Sequence, residues 1–232
     1  MKPYPEPIDL KKIKVFPLAQ RESLSPIDKI LVRPEQAPPA CGAELNTAVE
    51  ECAAKIRSAR QRGASVMLLY GAHLIKNGAM AVVISLMEKG WVTHLATNGA
   101  GTIHDWELSF LGRTEERVRQ NVATGTFGTW EETGRCIQLA LLAGGLRSEG
   151  YGRSLGRFIV EDGVTFPTRD SLEQALREEP AHPLGPARAD LLQSMLLHQI
   201  PSGRIEVRHQ WKKTSIVAEA FRLNVPFTVT RF

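Results

Sequence analysis

The sequence predicts an α/β fold, a mostly parallel β-sheet with helices on its flanks. Three features carry that expectation. Two short apolar runs, SVMLLY at 65–70 and VTHLATN at 92–98, bracket a helix-periodic segment, IKNGAMAVVISLMEK at 75–89. This strand–helix–strand order is the unit that sets two strands parallel. Near the end, a helix-periodic segment, SIVAEAFRLN at 215–224, feeds a third strand-like run, VPFTV at 225–229.

Residues 1–40 hold Pro3, Pro5, Pro7, Pro17, Pro26, Pro34, Pro38 and Pro39. Proline fixes φ and lacks a donor, so this stretch reads as an extended arm lying on the fold or on a partner subunit. Within it IKVFPL at 13–18 reads as a short edge strand. The chain thus divides into an arm, 1–40, and one α/β domain, 41–232. Leu45, Val49, Cys52, Ala53 and Ile56 recur at helical spacing before Gly63. SVMLLY is continuously apolar, as in a strand buried on both faces. The helix over 75–89 stops at Gly90. After VTHLATN, the stretches TIHDWELSFLG and TEERVRQNVATG read as two short helices, the second capped by Thr114. TGTFGTW at 124–130 is a glycine-rich loop, and EETGRCIQLALLAGGLRS is the next helix. Residues 150–170 read as loop with one strand-like piece, RFIVED. SLEQALREE and ARADLLQSMLLHQI are helical.

Composition narrows the function classes. Twenty-nine Lys and Arg against 25 Asp and Glu leave +4 over 232 residues, with no arginine-rich arm or basic aromatic stripe, which argues against nucleic acid. Cys41, Cys52 and Cys136 are odd in number and widely spaced, which argues against a disulfide framework and a zinc site. Cys52 and Cys136 lie in apolar helical patterns, where a buried free thiol is expected in a reducing, cytoplasmic setting. MKPYPEPIDLKK lacks the apolar region of a secretory signal, and no apolar stretch is long enough to span a membrane. No H-x-x-x-H, H-E-x-x-H or G-x-S-x-G spacing occurs, so no local metal site or serine elbow is expected. His94, inside a strand, reads as a packed or hydrogen-bonded core histidine.

Both parallel strands end in turns at one sheet edge, YGAHLIKNG and TNGAGTIHD, where open α/β sheets take ligands. Small residues let backbone N–H groups approach a phosphate, and the following helix start favours an anion. GAG is not G-x-G-x-x-G, so a nucleotide turn and a plain strand-to-helix corner both stay open. His104 and Asp105 are candidates for an acid–base pair, although neighbours on a helix point about 100° apart. Asp105 equally suits a positive helix start. Lys76, beside His73, can reach a phosphate or carboxylate as a point charge. The loop around Phe127 and Trp130 is either a flap over a ligand or a loop anchored by its aromatics.

The block LLYGAHLIKNGAMAVVISLMEKGWVTHLATNGAGTIHDWELSFLG resembles the deoxyhypusine synthase family, in particular its bacterial deoxyhypusine-synthase-like members. The resemblance covers roughly residues 40–229 and is strongest over 66–135. It implies a Rossmann-like domain in a homotetramer, with NAD in a cleft at a subunit interface. It implies a reaction that dehydrogenates spermidine and passes its aminobutyl group, through an enzyme lysine imine, to a lysine of a translation factor. By match to the motif, Gly71, Ala72, His73 and Asn77 would line the NAD cleft, with Thr97, Asn98, Gly99, Ala100 and Gly101 against the cofactor. His104 and Asp105 would take the catalytic place of family acids facing cofactor or polyamine. The first loop lacks the family's serine–asparagine pair, and His104 stands where a carboxylate is expected. The family's nucleophilic lysine follows the strand matching VPFTV, and Lys212 and Lys213 are out of position for it. The expectation is a C-terminally shortened, NAD-binding transferase-like protein. Its alternatives are a non-catalytic ligand-binding or assembly subunit of a homo-oligomer, and a different small-molecule transferase on the same scaffold.

Overall fold

The structure, a computed structural model, describes residue 9 and residues 12–230. Most of the proline-rich start of the arm, and the last two residues, lie outside the described residues. In chain order the elements are β1 (Ser23–Pro26), α1 (Ile27–Ile30), α2 (Ala43–Gln61), β2 (Met67–Leu69), α3 (Ala72–Lys76), α4 (Met80–Glu88), β3 (His94–Asn98), α5 (Gly99–Leu111) and β4 (Arg113–Glu116). They continue with α6 (Val118–Thr124), α7 (Glu131–Gly145), α8 (Tyr151–Val160), β5 (Gly163–Phe166), α9 (Arg169–Glu178), α10 (Gly185–Leu197), β6 (Gly203–Glu206), α11 (Ile216–Arg222) and β7 (Phe227–Thr230).

The fold is α/β and Rossmann-like: β2, β3 and β7 form one parallel sheet in the order β2–β3–β7, flanked by helices. Leu68 pairs with Leu95, and Ala96 with Thr228, so Leu68, Leu95 and Phe227 share one face. Two antiparallel pairs, β1–β4 and β5–β6, stand apart from that sheet. One core cluster gathers Ile75, Met80, Val83, Met87, Leu95 and Ile216; the other gathers Leu139, Leu155, Phe158, Ile159, Leu191 and Met195. Helix α5 runs between them, giving Leu108 to the first and Trp106 to the second. Asn98 caps its start by accepting from the Gly101 N–H at 2.9 Å, and Gly112 ends it in the left-handed region.

Several expectations are corrected. Residues 75–89 make two helices, because Gly78 turns at φ +77° and its carbonyl accepts from Val32 N–H. A Cβ there would lie 1.8 Å from the Ile30 carbonyl oxygen. The stretch 13–18 forms no strand beyond one bridge, Phe16 to Trp130; the arm's strand is β1. Thr114 caps no helix but lies in β4 opposite Ser25, because partner strand β1 overrides the local cap signal. The RFIV of RFIVED ends α8, where Leu155, Phe158 and Ile159 recur at helical spacing and are buried; Glu161 and Asp162 turn the chain into β5. β2 is covered on one face only, with Met67 and Leu69 exposed. No residue of α2 is buried, so Cys52 is exposed while Cys136 is in the core. His94 is hydrogen-bonded across the sheet to the Thr228 hydroxyl at 2.8 Å. Among the described residues no helix is long and apolar enough to cross a membrane, and no group of three or more His, Cys, Asp and Glu could hold a metal.

His209 sets a pH limit on this fold. Its ring is buried among Trp106, Phe110 and Phe158, 3.6 Å from the Asp162 carboxylate. Burial lowers its pKa from 6.5 to about 4, with Asp162 opposing. The unfolded chain therefore binds this proton near 6.5 and the folded chain only near 4, so stability is full above 6.5 and is lost as pH falls towards 4. Urea unfolding should show the stability difference between wild type and His209→Phe growing by about 3 kcal/mol from pH 4 to 6.5. A difference that stays flat with pH would contradict this account.

Candidate functional site

Helix α5 carries four buried polar residues, and each is satisfied. Thr102 and Ser109 donate back to the carbonyls of Gly99 and Trp106. Asp105 and Glu107 reach out to other segments. The Glu107 carboxylate takes both terminal nitrogens of Arg21, each at 2.7 Å, with both side chains almost fully buried. It also accepts from the Thr114 hydroxyl at 2.5 Å and the Thr133 hydroxyl at 3.1 Å. Arg21 in turn stacks over the Trp130 ring, 5.7 Å from its centre.

Around this pair opens a cavity of about 560 Å³. One turn before Glu107, His104 lines it, with Nδ1 2.7 Å from the Thr114 hydroxyl oxygen. Burial lowers the His104 pKa, with Lys76 and Arg21 in the same direction and Glu107 and Glu115 opposing, which favours the neutral ring. Lys76 reaches no free anion but pairs with Glu115 at 2.6 Å. Burial works against the Glu115 charge, yet Lys76 and the Ser25 hydroxyl hold its pKa below the usual value. Glu115 is kept at φ +64°, a position that favours glycine. Glu116, on the same wall, accepts from Trp130 Nε1 at 3.0 Å, Asn121 Nδ2 at 2.6 Å and Gly128 N–H at 3.1 Å. No cation among the described residues pairs with it, so the cavity carries one uncompensated carboxylate beside two aromatic rings, Trp130 and Phe127. Ile103, Val118 and Ile137 give the apolar wall.

A second cavity of about 680 Å³ sits at the C-terminal edge of the parallel sheet, between the ends of β3 and β7. Asn98, Gly99 and Ala100 form one side, Tyr151 and Ser154 of α8 another, and Thr230 a third. The two cavities share Ala100 and Tyr151 as walls. The Tyr151 hydroxyl is 3.1 Å from Thr102 Oγ1.

The structure brings together only some of the residues singled out in the sequence. His104 and Lys76 face the first cavity; Phe127, Gly128 and Trp130 of the 124–130 stretch line it, with Trp130 buried. Asn98, Gly99 and Ala100 line the second. Thr97 and Gly101 pack the corner beneath: Thr97 Oγ1 donates to the Tyr70 carbonyl, and a Cβ on Gly101 would lie 2.2 Å from it. Gly71 and Asn77 flank α3, which carries Ala72 and His73, and none of the four lines either cavity. Asp105 points away from both cavities and holds the start of α11, accepting from Ser215 Oγ at 2.5 Å and Ile216 N–H at 2.8 Å. Burial raises its pKa to about 6 against those hydrogen bonds. Arg21, Glu107, Thr114, Thr133, Glu116 and Tyr151 were not foreseen. Only Glu107 had a readable signal, its three-residue spacing from His104 on one helix face.

No protein-family model and no curated protein matches the chain. Among solved structures it is similar to ArgZ, an arginine dihydrolase from the ornithine–ammonia cycle in cyanobacteria, in its apo form. That match has 15% identity and a TM-score of 0.39, over 85% of this chain and 19% of the other. It is also similar to a conserved protein from Methanococcus maripaludis S2 that carries the description LOR/SDH. There the identity is 11% and the TM-score 0.36, over 99% of this chain and 48% of the other. The chain thus spans at most about half the length of either protein.

Breaking the buried pair gives a direct check on the site's architecture. Arg21→Met leaves the Glu107 carboxylate buried without its cation and should cost about 3–5 kcal/mol in urea unfolding. Adding Glu107→Gln to it should recover part of that loss. A single-variant loss under about 1 kcal/mol would contradict the assignment.

Proposed function

We propose that this protein is a deoxyhypusine-synthase-like amine dehydrogenase: it binds NAD at the sheet edge and a polyamine such as spermidine in the adjoining cavity. The shared wall at Ala100 and Tyr151 carries this reading, because ligands in the two cavities would lie side by side. Two features of the sheet-edge cavity support a nucleotide phosphate there, and its one charged lining residue, Glu149, is paired with Arg157. Gly99 leaves open space where a Cβ would project, and α5 starts there with its first N–H groups. The first cavity, beside Arg21 and Glu107, has the features an amine needs: the Glu116 carboxylate for an ammonium, the exposed Phe127 ring for cation–π contact, and apolar walls for a methylene chain. When bound, NAD supplies the acceptor for a hydride from the carbon beside the amine. His104, kept neutral by burial, takes the proton that the nitrogen releases as its C–N bond becomes C=N. Lys76 is held by Glu115, so this reading assigns it no covalent role and stops at dehydrogenation.

A second reading, an assembly subunit, is favoured by the apolar surface left uncovered on Leu45 and Val49 of α2 and on Met67 and Leu69 of β2. One set of samples tests both. Spermidine and NAD should each raise the melting temperature of the wild-type chain. Glu116→Gln should weaken spermidine about tenfold or more and leave the NAD shift intact. No shift with either ligand at millimolar concentration would end the first reading. In light scattering, the mass of a single chain at every concentration would end the second.

A further inference from the structure

The Thr114 hydroxyl stands between Glu107 and His104, within hydrogen-bond distance of both. Glu107, facing the permanently charged Arg21 guanidinium, is a carboxylate and can only accept hydrogen bonds. The Thr114 hydroxyl has one proton, and its 2.5 Å approach to Glu107 Oε2 requires that proton to lie between the two oxygens. Thr114 therefore has only lone pairs to offer His104 Nδ1, 2.7 Å away, and Nδ1 must carry the ring's hydrogen. Glu107 itself lies 4.0 Å from Nδ1, too far to set the tautomer without the threonine. In the neutral ring this leaves Nε2 bare. It makes no hydrogen bond among the described residues, and the ring lines the cavity.

We propose that Thr114, oriented by Glu107 and Arg21, is a positioning residue that holds His104 with its proton on Nδ1, so that Nε2 alone exchanges a proton with a ligand N–H in the cavity. The identity of that donor as an amine rests on the function proposed above; the tautomer does not. A protonated ring obeys the same rule, since Thr114 still needs a donor at Nδ1, and the proton gained or lost is the one on Nε2. Glu107 thus acts on the ring at one remove, through a hydroxyl that can point only one way.

Long-range ¹H–¹⁵N correlation spectra of the ligand-free chain, at about pH 8 where free imidazoles are neutral, read the two ring nitrogens separately. His104→Gln identifies the signals by removing them. The wild type should show His104 Nδ1 in the protonated range and Nε2 in the unprotonated range. Thr114→Ser should keep that pattern, and Thr114→Val should lose it, moving the proton to Nε2 or averaging the two signals. A wild-type ring with its proton on Nε2, or an averaged pair, overturns the proposal whether or not the valine variant folds. Because no ligand is present, a failure of spermidine or NAD to bind leaves this result intact and counts only against the function proposed above.

Discussion

A carboxylate removed from water must be met by donors, and Glu107 is almost completely removed from it. Its two oxygens collect donors from three segments distant in sequence: Arg21 of the arm, Thr114 of β4 and Thr133 of α7. Satisfying one side chain therefore fixes where the arm lies, pairs β1 with β4 and sets α7 against α5. The arm is fastened further along the same seam, where Phe16 exchanges backbone hydrogen bonds with Thr129 and Glu131, and Leu18 N–H meets the Glu132 carboxylate at 2.7 Å. The cavity is what remains between these segments once Glu107 has drawn them in.

The same helix divides its polar work by face. Asp105 spends its carboxylate on the start of α11, while His104 and Glu107, three apart, face the cavity side. The structural acid sits in the core, and the histidine beside it in sequence meets the open space. Ionic groups inside a fold are weak sources of net stability, because desolvation offsets their attraction. Their value here is positional: the Arg21–Glu107 pair sets the direction of one threonine hydroxyl, and that hydroxyl sets the histidine.

Much of the scaffold was legible in the sequence because its signals are local. The apolar runs at 65–70 and 92–98, the helices around them and the final helix–strand pair all appear close to where periodicity puts them. The errors fall where long-range partners decide. Thr114 reads as a helix cap until β1 claims it as a strand partner, and RFIVED reads as a strand until its apolar spacing is joined to Leu155. The site was legible only at its α5 edge. His104, Asn98, Gly99 and Ala100 announce themselves by sitting in a glycine turn, whereas nothing local to Arg21, in a proline-rich arm, says that it meets Glu107, 86 residues on. The first glycine loop, Gly71 to Asn77, shows the opposite failure, a promising motif that lines neither cavity.

The proposed function rests on two cavities that share one wall, at Ala100 and Tyr151, so that ligands bound in both would change each other's affinity. Titration calorimetry of spermidine into the wild-type chain, with and without saturating NAD, measures that directly. The predicted result is a spermidine Kd that changes by about fivefold or more when NAD is present, with the reciprocal change for NAD. Identical spermidine affinities with and without NAD bound, or no heat of binding for either ligand, would contradict it.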